Sequence, residues 1–206
     1  MSGRKAKNNE ASVASSSPRL ARAVSLHLDG KRTEALAELN LAVENGEETS
    51  EVLAAKGHLQ FELEQYPDAL KTYEKLLAMA PAHPTANFNL GICYEKLGRW
   101  QDATDCFQKA IDSDPQRLEA NLGLGICLLH QEKPEPAAAC FDNVLKQQPG
   151  HETALFGKAV ALQLLWKFDE ASNIYQSILA KNPQSEECLV NLITIGMARK
   201  DYEAIQ

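Results

Sequence analysis

Residues 84–117 read PTANFNLGICYEKLGRWQDATDCFQKAIDSDPQR. Leu90, Tyr94 and Leu97 recur at three- and four-residue spacing, which puts them on one face of a helix. That spacing predicts a helix near Thr85–Leu97 and a second near Asp102–Asp114. Gly98 suits the left-handed conformation that commonly ends a helix. Pro115 closes the second helix, because proline has no amide donor and its ring clashes with the preceding turn.

The segment is one copy of a unit. Pro81, Pro115, Pro149 and Pro183 stand 34 residues apart without an insertion. Ala35, Ala69, Ala103, Ala137 and Ala171 share one register, as do Leu39, Tyr73, Phe107, Phe141 and Tyr175. Gly57, Gly91, Gly125 and Ala159 share another. A fixed period of this size marks stacked supersecondary units. The units span 16–49, 50–83, 84–117, 118–151 and 152–185, with a truncated sixth over 186–206.

The order Asn87-x2-Leu90-Gly91-x2-Tyr94, then Ala103-x3-Phe107, then Pro115, closely resembles the tetratricopeptide repeat. The resemblance covers nearly the whole chain after its first fifteen or so residues. It implies an all-α fold, a right-handed superhelical solenoid of antiparallel helix pairs. It also implies a protein–protein interaction scaffold whose first helices line a concave groove and whose second helices face outward.

The residue types explain why such units stack. Gly91 and Ala103 allow close approach of two helix backbones, and Phe107 fills the space beside them. Burying one large apolar side chain contributes roughly 1.5–3 kcal/mol. A lone hairpin buries too few to offset ordering its backbone, at about 1–2 kcal/mol per residue. Neighbouring repeats must supply the rest.

Several positions depart from the pattern. Gln60 stands in the register of Tyr94 and Leu128, and Lys56 and Lys158 in that of Leu90 and Leu124. Trp166 occupies the turn position of Gly98, which predicts an altered or strained turn. Pro134 and Pro136 fall where the first turn of a second helix tolerates proline. The first unit lacks the aromatics and ends at Glu47 rather than proline, as terminal, capping units do. Residues 200–206 resemble a turn and the opening of another second helix, which predicts that helix 186–199 exposes the face meant for its partner. The chain then reads as a piece of a longer array.

Composition bounds the function. The 206-residue chain is 44% hydrophobic and 24% charged, ordinary for a folded protein. No apolar run is long enough to span a membrane, and no secretory leader is visible, which favours a cytoplasmic protein. The formal net charge is −7. Arg4, Lys5, Lys7, Arg19 and Arg22 face Glu10 alone over residues 1–22, a balance of +4 that leaves −11 on the rest. An acidic body argues against nucleic acid as a partner. Residues 1–15 read as a basic, Ser-rich disordered tail.

Cys93 and Cys127 share one register, Cys106 and Cys140 another, and Cys188 stands apart. A thiol switch and repeated small core residues are the two readings. The lack of a C-x-x-C pair or zinc-finger spacing favours the core. No phosphate-cradling Gly-rich loop, nucleophile elbow or zinc-protease motif is present, and the five histidines are scattered. The sequence therefore predicts no catalytic, cofactor or metal site.

By the resemblance, the groove-facing registers carry Leu20 and Val24, then Ala54, His58 and Phe61. Phe88, Asn89, Ile92 and Lys96 follow, then Leu122, Ile126 and Leu129, then Phe156, Val160 and Leu164, and last Val190, Asn191 and Thr194. So apolar a lining fits an amphipathic helix or an extended apolar peptide. Asn89 and Asn191 would hydrogen-bond the ligand backbone. The opposing reading packs Phe88, Ile92, Leu122 and Ile126 between neighbouring first helices. Relatives that grip the carboxylate tail of heat-shock chaperones need basic residues where this chain has Glu119 and Gly123, which excludes that ligand. The asparagine ladder of O-linked N-acetylglucosamine transferase is broken here by Ala55, Gly123 and Gly157. An adaptor is the leading function, with self-assembly through the last repeat, or a targeting arm of a larger enzyme, as alternatives.

Overall fold

The computed structural model describes residues 17–205, with side chains through Lys200. The tail assigned to residues 1–15 lies outside the described residues. The helices are α1 (Pro18–Leu28), α2 (Arg32–Glu44), α3 (Ser50–Glu62), α4 (Tyr66–Met79), α5 (Ala86–Lys96), α6 (Trp100–Ser113), α7 (Leu118–His130), α8 (Pro134–Gln147), α9 (Glu152–Leu164), α10 (Phe168–Lys181) and α11 (Glu186–Ile205). Each packs on the next, and α3, α5, α7 and α9 also touch one another in turn. The result is an all-α array of helix hairpins with its core along the seam between first and second helices.

One turn builds every hairpin. The middle residue of each connecting loop is left-handed: Gly30 (φ 77°), Glu64 (57°), Gly98 (69°), Glu132 (57°) and Trp166 (60°). In the third unit the Arg99 amide bonds to the Tyr94 carbonyl and the Gly98 amide to the Glu95 carbonyl, at 2.9 Å each. These two bonds satisfy carbonyls left open at the end of α5 and define a Schellman motif. The same pair recurs at Lys31, Gln65, Lys133 and Lys167. The turn at Trp166 therefore does not differ. It keeps the common geometry with a bulky residue in the left-handed region, at a cost of about 1–2 kcal/mol.

Second helices end by another device. Ala80, Asp114, Gln148 and Asn182 each leave the helical region, with φ between −142° and −127°. Each precedes one of the periodic prolines, whose ring disfavours helical geometry in the residue before it. The first unit uses Gly46 instead, at φ 81°.

Glycine and aromatic ring form the interlock between repeats. A Cβ on Gly91 would lie 2.9 Å from the Phe107 ring, and one on Gly123 only 2.6 Å from it. Phe141 is held the same way between Gly125 (2.8 Å) and Gly157 (2.4 Å). Each of these rings thus locks its own hairpin to the next. The sequence-level exceptions also pair off. Buried Gln60 meets the Thr72 hydroxyl at 2.6 Å, and Thr72 sits in the register of Cys106 and Cys140. Lys158 reaches Asp142 of α8 at 2.7 Å.

The last helix corrects one expectation. Where the sequence predicts a turn at Lys200, α11 continues unbroken to Ile205. Cys188 and Ile195 are buried against the fifth unit, while Leu189, Val190, Ile193 and Met197 remain exposed.

Candidate functional site

The first helices carry the groove registers, and the structure divides their side chains into three kinds. Phe61, Phe88 and Phe156 are half-buried. Their rings pack on Tyr66 (5.6 Å), Phe107 (6.0 Å) and Tyr175 (5.8 Å). The Arg117 guanidinium lies 5.0 Å above Phe88. Ile92, Leu122, Ile126 and Leu129 are likewise half-buried and lean on the core. The apolar lining is thus partly consumed in joining neighbouring first helices. Val190, on α11, is 60% exposed.

The polar members find partners within the array. Asn89 Nδ2 donates to Tyr73 Oη at 3.2 Å, and Asn191 Nδ2 donates to the Glu187 carbonyl at 2.8 Å. The donors expected to meet a ligand backbone are therefore engaged within the array. His58 lies 3.4 Å from Glu62 one turn along α3, and His27 of α1 approaches the same carboxylate at 3.5 Å. These three side chains are the one group among the described residues with metal-ligating atoms gathered together.

An open apolar cavity of about 420 Å³ lies between α7 and α9. Ile126, Leu129, Phe156 and Val160 line it with Leu164, which is 50% exposed, and Gly157 forms part of its wall. His130 borders it and stacks flat on Trp100, with centroids 4.0 Å apart. The sequence places His130 on the groove as a polar contact and leaves Gly157 out of the lining, although the 34-residue register of Gly123 points to it. Nearby, burial raises the Glu95 carboxyl above its ordinary range, with Lys96 and His130 acting against that shift.

The groove is built from a recurring nook. The same three registers give His27, His58 and Glu62 at one end, then Phe61, Ile92 and Lys96, then Glu95, Ile126 and His130, and finally Leu129, Val160 and Leu164. Its chemistry is polar at the amino end, mixed in the two middle nooks and apolar at the carboxyl end.

All five cysteines are free and buried. Burial pushes the thiols of Cys93 and Cys127 up to about 12 and those of Cys106 and Cys140 to about 11. Such groups stay protonated and serve as small core residues rather than nucleophiles.

Two family models described as "tetratricopeptide repeat" match residues 55–122 and 98–162, together more than half of the chain. The chain belongs to the tetratricopeptide repeat family. Solved structures agree on the fold of this tetratricopeptide repeat protein. YrrB, described as having an unusual peptide-binding site, superposes with a TM-score of 0.77 at 22% identity, covering 84% of this chain and 90% of its own. A tetratricopeptide repeat protein from Parabacteroides merdae gives 0.78 at 18% identity, covering 91% and 75%. MamA gives 0.75 at 18% identity, covering 82% and 92%. No curated protein sequence matches the chain. At these identities the likeness is one of fold, and the repeats make the chain a protein-interaction scaffold. No helix among the described residues is long and apolar enough to cross a membrane.

Proposed function

We propose that the chain is a non-enzymatic adaptor that holds an apolar partner segment in the groove between α7 and α9. The cavity lined by Ile126, Leu129, Phe156, Val160 and Leu164 carries this reading. Its walls are apolar, open and set by rigid helices, as a preformed docking site requires. An amphipathic helix is the ligand that suits it, because three or four apolar side chains on one face span two turns. Phe61, Phe88, Ile92 and Leu122 extend the surface towards the amino end, and Val190 and Asn191 extend it on α11. Five free, buried thiols fit a reducing compartment such as the cytoplasm.

A peptide library displayed on phage and selected against the array tests the proposal. Enriched sequences should carry apolar residues at helical spacing. Leu164→Glu should weaken their binding more than about tenfold, a loss of about 1.4 kcal/mol, with an unchanged helical circular-dichroism spectrum. Peptides that bind wild type and Leu164→Glu alike would place the site elsewhere.

Self-assembly is the second reading. Leu189, Val190, Ile193 and Met197 form an exposed apolar face on α11, between 44% and 65% accessible. That face has the helical spacing the cavity would accept from a second copy. Light scattering over a dilution series separates the readings: a concentration-independent monomer rules against it.

A further inference from the structure

His27, His58 and Glu62 converge where the first hairpin meets the second. His58 and Glu62 stand one turn apart on α3, and His27 comes from the last turn of α1. His58 Nε2 is 3.4 Å from Glu62 Oε1, and His27 Nδ1 is 3.5 Å from Glu62 Oε2. The three ligand atoms all lie within 4.8 Å of one another.

These separations are too long for good hydrogen bonds, which lie at about 2.7–3.2 Å. Their length fits a different bond. Ligands about 2.0–2.2 Å from a tetrahedral zinc ion stand about 3.4 Å apart. A second observation points the same way. His27 Nδ1 is buried and has no hydrogen-bond partner, although the Glu62 carboxylate lies 3.5 Å away. A buried polar atom without a partner carries a desolvation cost, which a metal ion would remove.

We propose that His27, His58 and Glu62 bind a divalent transition-metal ion, with zinc as the reference ion. Two imidazoles and one carboxylate favour zinc and its transition-metal neighbours over calcium or magnesium, which take oxygen ligands. Arg32 Nε donates to Glu62 Oε2 at 2.9 Å. That bond orients the carboxylate as an outer-shell partner does, although the guanidinium charge also lowers the affinity. Ala23, Val24, Leu39, Ala55 and Leu59 line a cavity of about 190 Å³ beside the two imidazoles, which gives the site an apolar floor. His58 is the most exposed of the three ligands, at 55%. A fourth position therefore opens to solvent, for water or for a donor group of a bound partner. The bound ion would clip α1 to α3 and so fix the capping hairpin. This inference is independent of the apolar cavity at the other end.

Calorimetric titration of the tag-free 206-residue protein with zinc chloride at neutral pH tests it. One equivalent should bind, with a rise in melting temperature. His58→Ala and Glu62→Gln should each weaken binding at least about tenfold. Lowering the pH should weaken it too, because metal competes with protons for imidazole. Cobalt in place of zinc should give the strong visible absorption of a four-coordinate ion. His58 is exposed, so its alanine variant should keep the wild-type circular-dichroism spectrum; the cobalt spectrum of the wild type is a readout that needs no variant. Absence of binding, binding by both variants as tight as that of wild type, or calcium and magnesium binding as tightly as zinc would each overturn the assignment.

Discussion

The nook formed by His27, His58 and Glu62 and the nook formed by Leu129, Val160 and Leu164 occupy equivalent places three repeats apart. Helix lengths, loop lengths and turn geometry are nearly the same at both. One presents two imidazoles and a carboxylate, and the other an apolar cavity. The backbone period fixes where side chains meet, and it leaves what they do open. The wall behind each nook differs as well. Gly157 lets the Phe141 ring approach in the apolar nook, whereas Ala55 and Leu39, in the corresponding registers, line the cavity beside the polar one.

Changing Gly157 to alanine should break this contrast most severely. The added Cβ would sit 2.4 Å from the buried Phe141 ring. Overpacking of this kind costs about 1–3 kcal/mol, and chemical denaturation would read it as a lower midpoint. The substitution Gly123→Ala should behave alike through Phe107, where the gap is 2.6 Å. If both variants melt with wild type, the rings do not lock the repeats together.

A smaller loss is expected from Gly30→Ala, which strains the left-handed turn of the first hairpin by about 1 kcal/mol. The reverse change at the other end, Trp166→Gly, should gain less than that. It relieves the same backbone strain but gives up the contact of Trp166 with Phe168, 5.5 Å between ring centroids. Equal melting temperatures for the two variants would mean that the shared turn carries no strain.

The smallest effect concerns Glu95, the carboxylate of an intermediate nook. Its folded-state affinity for a proton is raised by burial. A raised carboxyl contributes stability at low pH that fades as pH climbs through its folded value. Replacing Glu95 by glutamine should therefore raise stability near neutral pH by about half a kcal/mol or less. Below the ordinary carboxylate range the difference should vanish, and a pH series of denaturation midpoints would show the crossover. A constant gain across that series would mean that desolvation of the charge is not its source.

Much of the fold was legible because its causes are local. The 34-residue register gave the hairpins, and the prolines gave the ends of second helices. Gly98 gave a left-handed turn that the structure repeats at Glu64, Glu132 and Trp166, where composition hides it. The turn survives there because two backbone hydrogen bonds and the packing of both helices hold it, whatever the side chain. The groove was less legible. Phe88 and Ile92 occupy groove registers yet lean on the core, and the Asn89 amide is taken by a tyrosine hydroxyl from the preceding repeat. His27 was unreadable as a neighbour of His58 because the two sit in different registers. Only the crossing of α1 over α3 makes them adjacent. The continuation of α11 past Lys200 departs from the turn because register alone carries that expectation, with neither glycine nor proline at the position to enforce it.

Phe107 and Phe141 each sit between glycines of consecutive units, while Tyr73 and Tyr175 are flanked by glycine on one side at most and hydrogen-bond through their hydroxyls. The third, fourth and fifth hairpins are consequently riveted, whereas the second meets the third through the Asn89–Tyr73 hydrogen bond, a polar bolt that water can loosen. Amide exchange should find one slow central block with faster margins. A metal clip between the first two hairpins would then slow exchange at the front margin, while an occupant between α7 and α9 would sit within the slow block and leave the margins as they are.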